Sequence, residues 1–323
     1  MAATHRYPLW KLPAWLPARI QERFPQLHVV HRENYLDLDQ HIGDAEVYVG
    51  FVLPPDVLAV ARELRWIHAT AAGVDQLCYP EMVARSIVLT NASTVMSEPV
   101  AEHTMALILA LAKRLMSSME YQRKKFWAQS EVSVEEPGII ELQGATLGLI
   151  GLGDIGREVA RRARAFGMRV VAVKRDVSSG GDLADRVLPP SALHEMLSEA
   201  DFVVVCAPQT SATKRLMGAA EFAAMKRSAY LINVARGTLV DEAALDAALR
   251  GGKIAGAAAD VFDPEPLPPE SPLWTAPNML ITPHTAASTS MLWKRQAALL
   301  EDNIARYLDG RPLRNLVDKN LGY

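Results

Sequence analysis

Three polar side chains follow apolar runs of the sequence, at places where they could together reduce a carbonyl group. Arg236 follows the apolar run 231–235, His284 follows a second run, and Glu265 lies in the proline-rich loop 263–268. A guanidinium fork suits a carboxylate, and a histidine beside a carboxylate can donate a proton near neutral pH. The three side chains therefore predict a site that binds a small acid and protonates an oxygen next to its carboxylate.

Each of these residues also has a more ordinary interpretation. An arginine can neutralise a surface acid, an acidic loop can simply face water, and a single histidine in a loop usually has no special role. Strand ends, however, are where open α/β sheets bind ligands. None of the other seven histidines has an acidic loop and a strand-end arginine in comparable places. We therefore favour the catalytic interpretation.

A glycine-rich loop predicts the hydride carrier that such a reduction needs. Gly151, Gly153 and Gly156 form a G-x-G-x-x-G pattern between the apolar run 147–150 and a helical pattern that closes at Gly167. In a dinucleotide site, the first glycine makes a tight turn, the second lets the backbone approach a pyrophosphate, and the third lets the helix pack against the strand. Glycines also serve ordinary turns, but strand, loop, helix and following strand occur here in the required order.

The end of the next predicted strand, 169–173, indicates which nicotinamide cofactor is used. An NAD site would place an acidic residue there to bind the ribose 2′-hydroxyl, whereas this chain has Lys174 and Arg175. Two cations would attract a 2′-phosphate, which favours NADP as the preferred cofactor and leaves NAD as the second choice. Two alternatives stay open: both cations simply reach solvent, or Asp176 turns back to serve the ribose of NAD.

The elements that position these residues alternate between short apolar runs and helical patterns, which predicts parallel α/β architecture. The first series makes a small βα domain, and the second series begins directly before the glycine loop. The predicted strands are 27–30, 47–50, 66–69 and 87–90 in the first series, and 146–150, 169–173, 202–206, 230–233, 255–259 and 279–281 in the second.

The length of 323 residues exceeds what one hydrophobic core usually accommodates, so we expect two domains. We predict an α/β protein of two Rossmann-like domains, with the dinucleotide-binding domain inserted into a flavodoxin-like substrate domain. Residues 1–98 and 288–323 would form the substrate domain, and residues 99–287 the NAD(P)-binding domain. Helices at 99–116 and 288–308 would cross the boundary.

The helix predicted at 99–116 begins near a proline and is apolar over most of its surface. Such a helix is usually buried between domains or subunits, so we expect a homodimer. A looser stretch follows at 129–138 and is predicted to be a surface connection.

Composition and charge exclude several classes of protein. A net charge of -3 and a pI near 6.3 do not suggest nucleic acid or a membrane surface as partner. Cys78 and Cys206 are far apart and have no metal-like spacing, so we expect neither a disulfide nor a metal site, and a reducing cytoplasm fits. Residues 1–25 lack the apolar segment of a signal peptide, and the most apolar stretch, 105–112, is too short to span a bilayer.

Together these motifs resemble the D-isomer-specific 2-hydroxyacid dehydrogenase family. Its members include glyoxylate/hydroxypyruvate reductases, D-lactate, D-glycerate and phosphoglycerate dehydrogenases, and formate dehydrogenase. The resemblance covers most of the chain and is best from Trp66 to Leu316. The stretches that carry it are 141–148, which leads into the glycine loop, 233–245, 260–268 and 283–289.

The resemblance implies a role for each matching residue. Arg236 would bind the substrate carboxylate and polarise the carbonyl, and His284 would give the proton to the keto oxygen or remove it in the reverse direction. Glu265 would hold His284 and keep it protonated, and Asp260 would bind the nicotinamide carboxamide. The implied cofactor contacts are Thr104, Gly151, Leu152, Gly153, Asp154, Ile155, Gly156, Lys174, Arg175, Cys206, Ala207, Pro208, Thr213, Val234, Ala235, Arg236, Asp260 and His284.

For the substrate, the resemblance implies that the loop 71–75 supplies backbone N–H groups to the carboxylate. Two apolar side chains in the small domain would line the pocket for the rest of the substrate. The implied substrate contacts are Phe51, Leu53, Ala72, Gly73, Val74, Arg236 and His284.

The function implied is hydride transfer between NADP(H) and a small 2-keto or D-2-hydroxy acid, such as glyoxylate or hydroxypyruvate. Lys174, in place of the acidic residue of NAD-using members, favours NADPH. No further domain is expected after the last helix, which argues against the long phosphoglycerate dehydrogenases. Two alternatives stay open. One is an NAD-dependent D-2-hydroxyacid dehydrogenase with a bulkier substrate, and the other is a nucleotide-sensing interaction protein like the corepressors related to this family.

Overall fold

The chain divides into two compact units. Unit 1 comprises Met1–Met96 and Ser288–Tyr323, and unit 2 is the continuous segment Ser97–Ala287. The first crossing lies two residues before the predicted boundary, and the second lies at the predicted position. Part of the predicted surface connection, 135–137, lies outside the described residues. The structure is a computed structural model that describes residues 11–32, 37–134, 138–178 and 180–323.

The sheet of unit 1 has three parallel strands, β1 (Val47–Gly50), β2 (Trp66–Ala69) and β3 (Val88–Thr90). They lie in the order β1-β2-β3, and all four residues of the central strand are buried. The bounds of β1 and β2 are those predicted, and β3 is one residue shorter. The helices that lie wholly in unit 1 are α1 (Trp15–Arg23), α2 (Pro55–Val60), α3 (Pro80–Ala84) and the last helix of the chain, Leu292–Leu308.

The strand predicted at 27–30 is wrong, because no strand is formed over these described residues. The side-chain amide of Gln21 takes the place of a neighbouring strand. Its Nε2 donates to the carbonyl oxygen of Leu27 at 2.7 Å, and its Oε1 accepts the N–H of Val29 at 3.0 Å. Burial alternates along 27–30 as it does in a strand, but such alternation does not reveal which group satisfies the backbone.

Trp66 lies at the centre of a group of aromatic and polar side chains in the core of unit 1. It is fully buried, stacks on Tyr307 with ring centroids 5.4 Å apart, and donates its Nε1–H to Thr90 Oγ1 at 2.9 Å. His68 is also fully buried, with Nδ1 2.9 Å from the same hydroxyl. Burial lowers the pKa of His68 to about 4, so this histidine is uncharged at neutral pH and serves packing.

The sheet of unit 2 has seven parallel strands. They are β4 (Thr146–Ile150), β5 (Arg169–Val173), β6 (Arg186–Leu188), β7 (Phe202–Val205), β8 (Tyr230–Asn233), β9 (Gly256–Ala259) and β10 (Met279–Ile281). Their order is β10-β9-β8-β7-β4-β5-β6. The chain crosses the sheet in one direction from β4 to β6 and in the other from β7 to β10, so the order reverses between β4 and β7. Doubly wound sheets bind ligands at this reversal, beyond the carboxyl ends of the strands.

The sequence patterns predict six of these seven strands to within one residue at either end. They miss β6, an edge strand of three half-buried residues that pairs only with β5. A segment this short, beginning with a charged residue, is too brief to show a period of two.

The helix predicted at 99–116 is α4, with the bounds Ser93–Ala112. Pro99 is therefore inside the helix and not at its first position. The helix starts earlier because Asn91 Oδ1 accepts the N–H of Ser93 at 3.2 Å and so caps it. By length and composition α4 could cross a bilayer, but 67% of its most apolar stretch is buried inside the protein, as in core helices of globular proteins.

Arg114 separates α4 from the next helix, because it adopts a left-handed φ of 55°. The last helix of the chain also begins later than predicted, at residue 292. The remaining helices of unit 2 are α5 (Leu115–Arg123), α6 (Gln129–Val134), α7 (Asp154–Ala165), α8 (Leu193–Glu199), α9 (Ala219–Ala224) and α10 (Glu242–Arg250).

Candidate active site

The glycine loop between β4 and α7 has no room for a side chain at two of its three glycines. Gly151 has a φ of 103°, and a Cβ there would lie 2.9 Å from the backbone nitrogen of Ala207. A Cβ on Gly156 would lie 2.4 Å from the carbonyl oxygen of Gly151. Gly153, by contrast, has open space where its Cβ would be, directly before the first residue of α7. The loop can therefore bring its backbone close to a ligand at Gly153.

The start of α7 fits the pyrophosphate of a dinucleotide. Within the part of the chain that the structure describes, no side chain caps this 12-residue helix at its N-terminus. The positive end of the helix dipole therefore faces the open space at Gly153. Asp154 and Ile155 open the helix, and Leu152 is buried beneath the loop. These residues fit the phosphate portion of NAD or NADP.

Lys174 and Arg175 directly follow β5, at the end of the strand next to β4. Lys174 is half-buried and Arg175 is exposed. Asp176 Oδ1 accepts both the backbone N–H and the hydroxyl of Ser178, at 3.0 and 2.6 Å. The Asp176 carboxylate thus bonds to its own loop, which weighs against its use for the ribose of NAD.

The loop that follows β7 packs against the glycine loop. The Cys206 thiol donates to the carbonyl oxygen of Gly151 at 3.1 Å. Although part of this residue is exposed, its thiol is buried, and burial raises the pKa of Cys206 to about 12. Cys206 is therefore an uncharged thiol and not a nucleophile. Thr213 Oγ1 donates to the carbonyl oxygen of Pro208 at 2.7 Å, which closes the loop on itself.

Arg236 is held at the end of β8 by Asn233, the last residue of that strand. Asn233 Nδ2 donates to the carbonyl oxygen of Arg236 at 3.0 Å, and its Oδ1 accepts the N–H of Ala235 at 3.1 Å. Asn233 is buried, so it clamps the turn that aims the arginine. Asn233 is not among the site residues expected from the sequence. Its signal was a polar side chain among the apolar residues of a buried strand.

His284 and Glu265 form a close pair. His284 Nδ1 lies 2.7 Å from Glu265 Oε2, and because a carboxylate only accepts, Nδ1 carries the hydrogen and Nε2 is left for a substrate. Glu265 Oε1 accepts the N–H of Phe262 at 2.9 Å. Burial raises the pKa of Glu265, but the hydrogen bond and charge of His284, helped by Phe262 and Arg236, outweigh burial and hold this pKa below its usual value. Glu265 is therefore a carboxylate at neutral pH.

Close backbone contact joins the loops that carry the arginine and the glutamate. A Cβ on Gly237 would lie 2.0 Å from the carbonyl carbon of Phe262, so only glycine permits this approach. Glu242 Oε1 also accepts the N–H of Asp263 at 2.8 Å. Burial raises the pKa of Glu242, with the nearby acids adding to it. The sequence analysis did not single out Gly237 or Glu242, because neither bears on the chemistry until the two loops meet.

Asp260 holds the loop that carries His284. The side chain is 1% exposed. Its Oδ1 accepts the N–H of Thr285 at 2.9 Å and the hydroxyl of Thr282 at 2.6 Å, and its Oδ2 accepts the N–H of Ala286 at 2.8 Å. The residue expected to bind the nicotinamide carboxamide thus already serves the histidine loop with both oxygens.

The catalytic candidates converge because of the strand order. Arg236 follows β8, Glu265 follows β9 and His284 follows β10, and these are adjacent parallel strands whose carboxyl ends meet at one edge. The glycine loop follows β4 at the same edge of the same sheet. Unit 2 thus carries a nucleotide loop, an arginine and a histidine–carboxylate pair on one side.

Comparison with known proteins decides the family. The sequence profile described as "D-isomer specific 2-hydroxyacid dehydrogenase, NAD binding domain" matches residues 105–286, more than half of the chain. The chain belongs to the D-isomer specific 2-hydroxyacid dehydrogenase family. This 2-hydroxyacid dehydrogenase is an NAD(P)-dependent oxidoreductase, and the family expected from the sequence is confirmed.

Individual relatives of this 2-hydroxyacid dehydrogenase agree with the profile. The chain is 33% identical over 288 residues to a glyoxylate reductase of Korarchaeum cryptofilum, a match that covers 87% of this chain and 85% of the relative. It is 35% identical over 309 residues to a D-3-phosphoglycerate dehydrogenase of Methanocaldococcus jannaschii, which covers 93% of this chain but 57% of that protein. A solved structure, the NADPH-dependent glyoxylate/hydroxypyruvate reductase of Sinorhizobium meliloti with NADP and sulfate, has a TM-score of 0.83 and 27% identity, covering 97% of each chain. The predicted α/β fold class is confirmed.

Thr104 of this 2-hydroxyacid dehydrogenase is less available than expected. Its side chain is fully buried, and its hydroxyl donates to the carbonyl oxygen of Val100 in the same helix at 2.7 Å. The hydroxyl thus already has a partner. Contact between Thr104 and the nicotinamide stays a prediction that this geometry does not favour. Val234 and Ala235, at the end of β8, are also buried.

Leu53 of this dehydrogenase lies in the core of unit 1. Its side chain is fully buried, and its carbonyl oxygen accepts the Tyr79 hydroxyl at 2.8 Å. Because the side chain packs in the core, we remove Leu53 from the residues expected to line a substrate pocket. Phe51 is half-buried and stays a candidate.

The loop expected to present N–H groups to the substrate is also part of unit 1. Ala72 and Gly73 are half-buried, and Val74 is buried. Asn91 Nδ2 donates to the carbonyl oxygen of Ala72 at 2.8 Å, which holds the loop in place. The role of these N–H groups toward a substrate stays a prediction.

Proposed function

We propose that this protein reduces small 2-keto acids, such as glyoxylate and hydroxypyruvate, to D-2-hydroxy acids with NADPH. The observation that carries the proposal is the pair of His284 Nδ1 and Glu265 Oε2 at 2.7 Å, next to Arg236 and on the edge of the sheet that carries the glycine loop. A proton donor, a carboxylate-binding cation and a nucleotide loop are the groups that this reduction requires.

Each residue has a distinct part in the proposed reaction. The bound nicotinamide cofactor supplies the hydride that reaches the carbonyl carbon. Arg236 binds the carboxylate of the keto acid with its planar fork and so orients the neighbouring carbonyl. His284 Nε2 donates a proton to the oxygen on which negative charge develops. Glu265, ionised because its pKa is held low, stabilises the charged form of His284.

Three observations support NADP as the preferred cofactor. Lys174 and Arg175 follow β5 at the place where a 2′-phosphate would lie. Asp176, the acid that follows these two cations, bonds through its Oδ1 to the backbone N–H and the hydroxyl of Ser178. The similar Sinorhizobium meliloti enzyme is NADPH-dependent and was solved with NADP.

A second candidate is oxidation or reduction of a bulkier acid with NAD. The match to a D-3-phosphoglycerate dehydrogenase, at 35% identity, favours it. Its substrate would carry a phosphate besides the carboxylate and so would need a further cation in the pocket.

The experiment is a kinetic survey of the purified protein with both cofactors. Glyoxylate, hydroxypyruvate, pyruvate and 3-phosphohydroxypyruvate are each reduced with NADPH and with NADH, and loss of the cofactor absorbance is followed. We expect the highest kcat/KM for glyoxylate or hydroxypyruvate with NADPH. Turnover of 3-phosphohydroxypyruvate alone, with NADH, would establish the second candidate instead.

The enzyme is further proposed to be a cytoplasmic homodimer with no nucleic-acid or membrane partner. Both cysteines are free thiols, which suits a reducing compartment. The apolar residues of α4 are mostly buried within the chain, so we propose that the dimer surface also includes exposed apolar side chains outside this helix. A group of exposed apolar side chains follows α4, and its members are Leu115, Met119, Phe126, Trp127, Val134 and Ile139.

A further inference from the structure

His103 on α4 contacts the loop that carries His284 through the hydroxyl of Thr282. The direction of each hydrogen bond at this hydroxyl follows from the partners of its oxygen. Thr282 Oγ1 lies 2.6 Å from Asp260 Oδ1, and because a carboxylate only accepts, the hydroxyl hydrogen must point to Asp260. His103 Nε2 lies 3.0 Å from the same hydroxyl oxygen. The hydroxyl has no second hydrogen to offer, so His103 Nε2 must be the donor. The chain of hydrogen bonds therefore runs from His103 to Thr282 to Asp260.

The Asp260 carboxylate, at the end of this chain of hydrogen bonds, bonds to residues on both sides of His284. Asp260 accepts the Thr282 hydroxyl, two residues before His284, and the N–H groups of Thr285 and Ala286 directly after it. His284 itself has a φ of 52°, a left-handed conformation that residues other than glycine adopt only when their surroundings impose it. The contacts on both sides of His284 supply that constraint.

A buried carboxylate keeps such a loop in place only while both of its oxygens have hydrogen-bond donors. Asp260 is 1% exposed, and His103 Nε2 lies 3.5 Å from its Oδ1, so His103 faces this buried carboxylate from a separate helix. Without His103, the Thr282 hydroxyl loses its donor, and Asp260 loses the group that faces it from α4. Networks of this kind are worth more than their single bonds, so one deletion loosens the whole loop.

We propose that His103 is a positioning residue for the reaction. It sets the Thr282 hydroxyl and the Asp260 carboxylate, and through them the place of His284 Nε2 against the keto oxygen. The inference rests on the proposed function of His284 as proton donor. It adds a residue 179 positions before Thr282 in the chain, which acts on His284 through Thr282 and Asp260.

The test compares variants that remove the hydrogen bonds with variants that keep them. His103→Leu and Thr282→Val remove them, whereas His103→Gln and Thr282→Ser keep a donor or a hydroxyl. Because a small misplacement of a reacting group can cost up to about a hundredfold, we expect the first two to lower kcat by roughly tenfold to a hundredfold with little change in the KM for NADPH. The solvent deuterium isotope effect on kcat should rise, since proton transfer becomes slower, and the conservative variants should recover most of kcat. Glu102→Gln, an exposed neighbour on the same helix, should behave as the unmodified enzyme.

The outcomes separate this inference from the proposed function. An active enzyme whose kcat and isotope effect are unchanged in His103→Leu would overturn the positioning role and leave the proposed function standing. Equal losses in all four variants, matched by a lower Tm, would show a merely structural role and also overturn it. If the unmodified protein reduces no 2-keto acid, the proposed function fails. The network is then judged by hydrogen exchange of the Thr285 and Ala286 N–H groups, which must accelerate in His103→Leu if the network holds the loop.

Discussion

At the scale of single residues, the pair of Glu265 and His284 carries the most chemistry. The carboxylate is held ionised against its own burial by the histidine and its neighbours, so its pKa lies below the usual value for glutamate. The sign follows directly. As pH falls, Glu265 keeps its charge to a lower pH than an ordinary glutamate and goes on stabilising the protonated histidine. Through the neutral range His284 thus faces a full negative charge on Glu265.

Removing that charge should move the pH dependence of catalysis. Glu265→Gln keeps a hydrogen-bond acceptor but removes the negative charge that faces His284 Nδ1, so the site no longer stabilises a positively charged proton donor. We expect the alkaline fall of reductive kcat to shift to lower pH, and we expect His284→Asn to lower kcat by roughly 10²–10⁴. The measurement is the pH–rate profile of reduction at saturating keto acid.

The matched control for this prediction is Glu270→Gln, which removes an exposed acid a few residues along the same loop. It should leave both the profile and kcat unchanged. If Glu265→Gln behaved like this control, Glu265 would be a loop acid that faces water, and the proposed proton donor would lack its partner.

At the scale of elements, the proposed preference for NADP depends on the end of β5. The strand places Lys174 and Arg175 one strand away from the glycine loop, because β4 and β5 are paired in parallel. The turn that follows these two residues is held by a hydrogen bond from the Ser178 N–H to Asp176 Oδ1. In this proposal, the preference between NADP and NAD depends on the residues that follow β5 and not on the glycine loop.

Reversing the charge at this strand end should reverse the preference. Lys174→Asp replaces an attraction for the 2′-phosphate by a repulsion and offers an acceptor to the ribose 2′-hydroxyl of NAD. Hydrogen bonds to charged groups are worth about 1.5–3 kcal/mol, so the KM for NADPH should rise by roughly tenfold or more while the KM for NADH falls. Steady-state kinetics with both cofactors measure the change, and Lys253→Asp, an exposed lysine after α10, is the control. Equal use of both cofactors by the unmodified protein would contradict the prediction.

At the scale of the whole molecule, a group of apolar side chains after α4 would be exposed to water in a monomer. Trp127 is 88% exposed and Val134 is 77% exposed, on a stretch that includes α5 and α6. Apolar side chains grouped in this way usually mark an interface. We expect the partner to be a second copy of the chain, because most soluble oligomers are symmetric assemblies of identical chains.

The prediction is a dimer that one charged side chain disrupts. We expect light scattering of the unmodified protein at micromolar concentration to give twice the mass of the chain, and Trp127→Glu to give the mass of one chain. Trp15→Glu, which changes an exposed tryptophan of unit 1, should stay dimeric. A single-chain mass for the unmodified protein would overturn the proposed dimer.

The sequence by itself determined the family, most of the strands along the chain and the three polar residues that follow strands β8, β9 and β10. Periodicity of two, the glycine loop and the proline-rich loop are local signals, since each depends on residues close together in the chain. That is why β4, β5 and β8 begin and end where predicted. The glycine loop and His284 were recognised for the same reason.

The tertiary structure alone decided which side chains meet. Gln21 replaces a strand partner beside 27–30, Leu53 enters the core, and Asn233 clamps the turn of Arg236. His103 reaches Thr282 from 179 residues away. Contacts of this kind depend on the order in which strands lie in a sheet and on how far each side chain reaches. The pattern of apolar and polar residues along one strand records only which face is buried, not what lies opposite it.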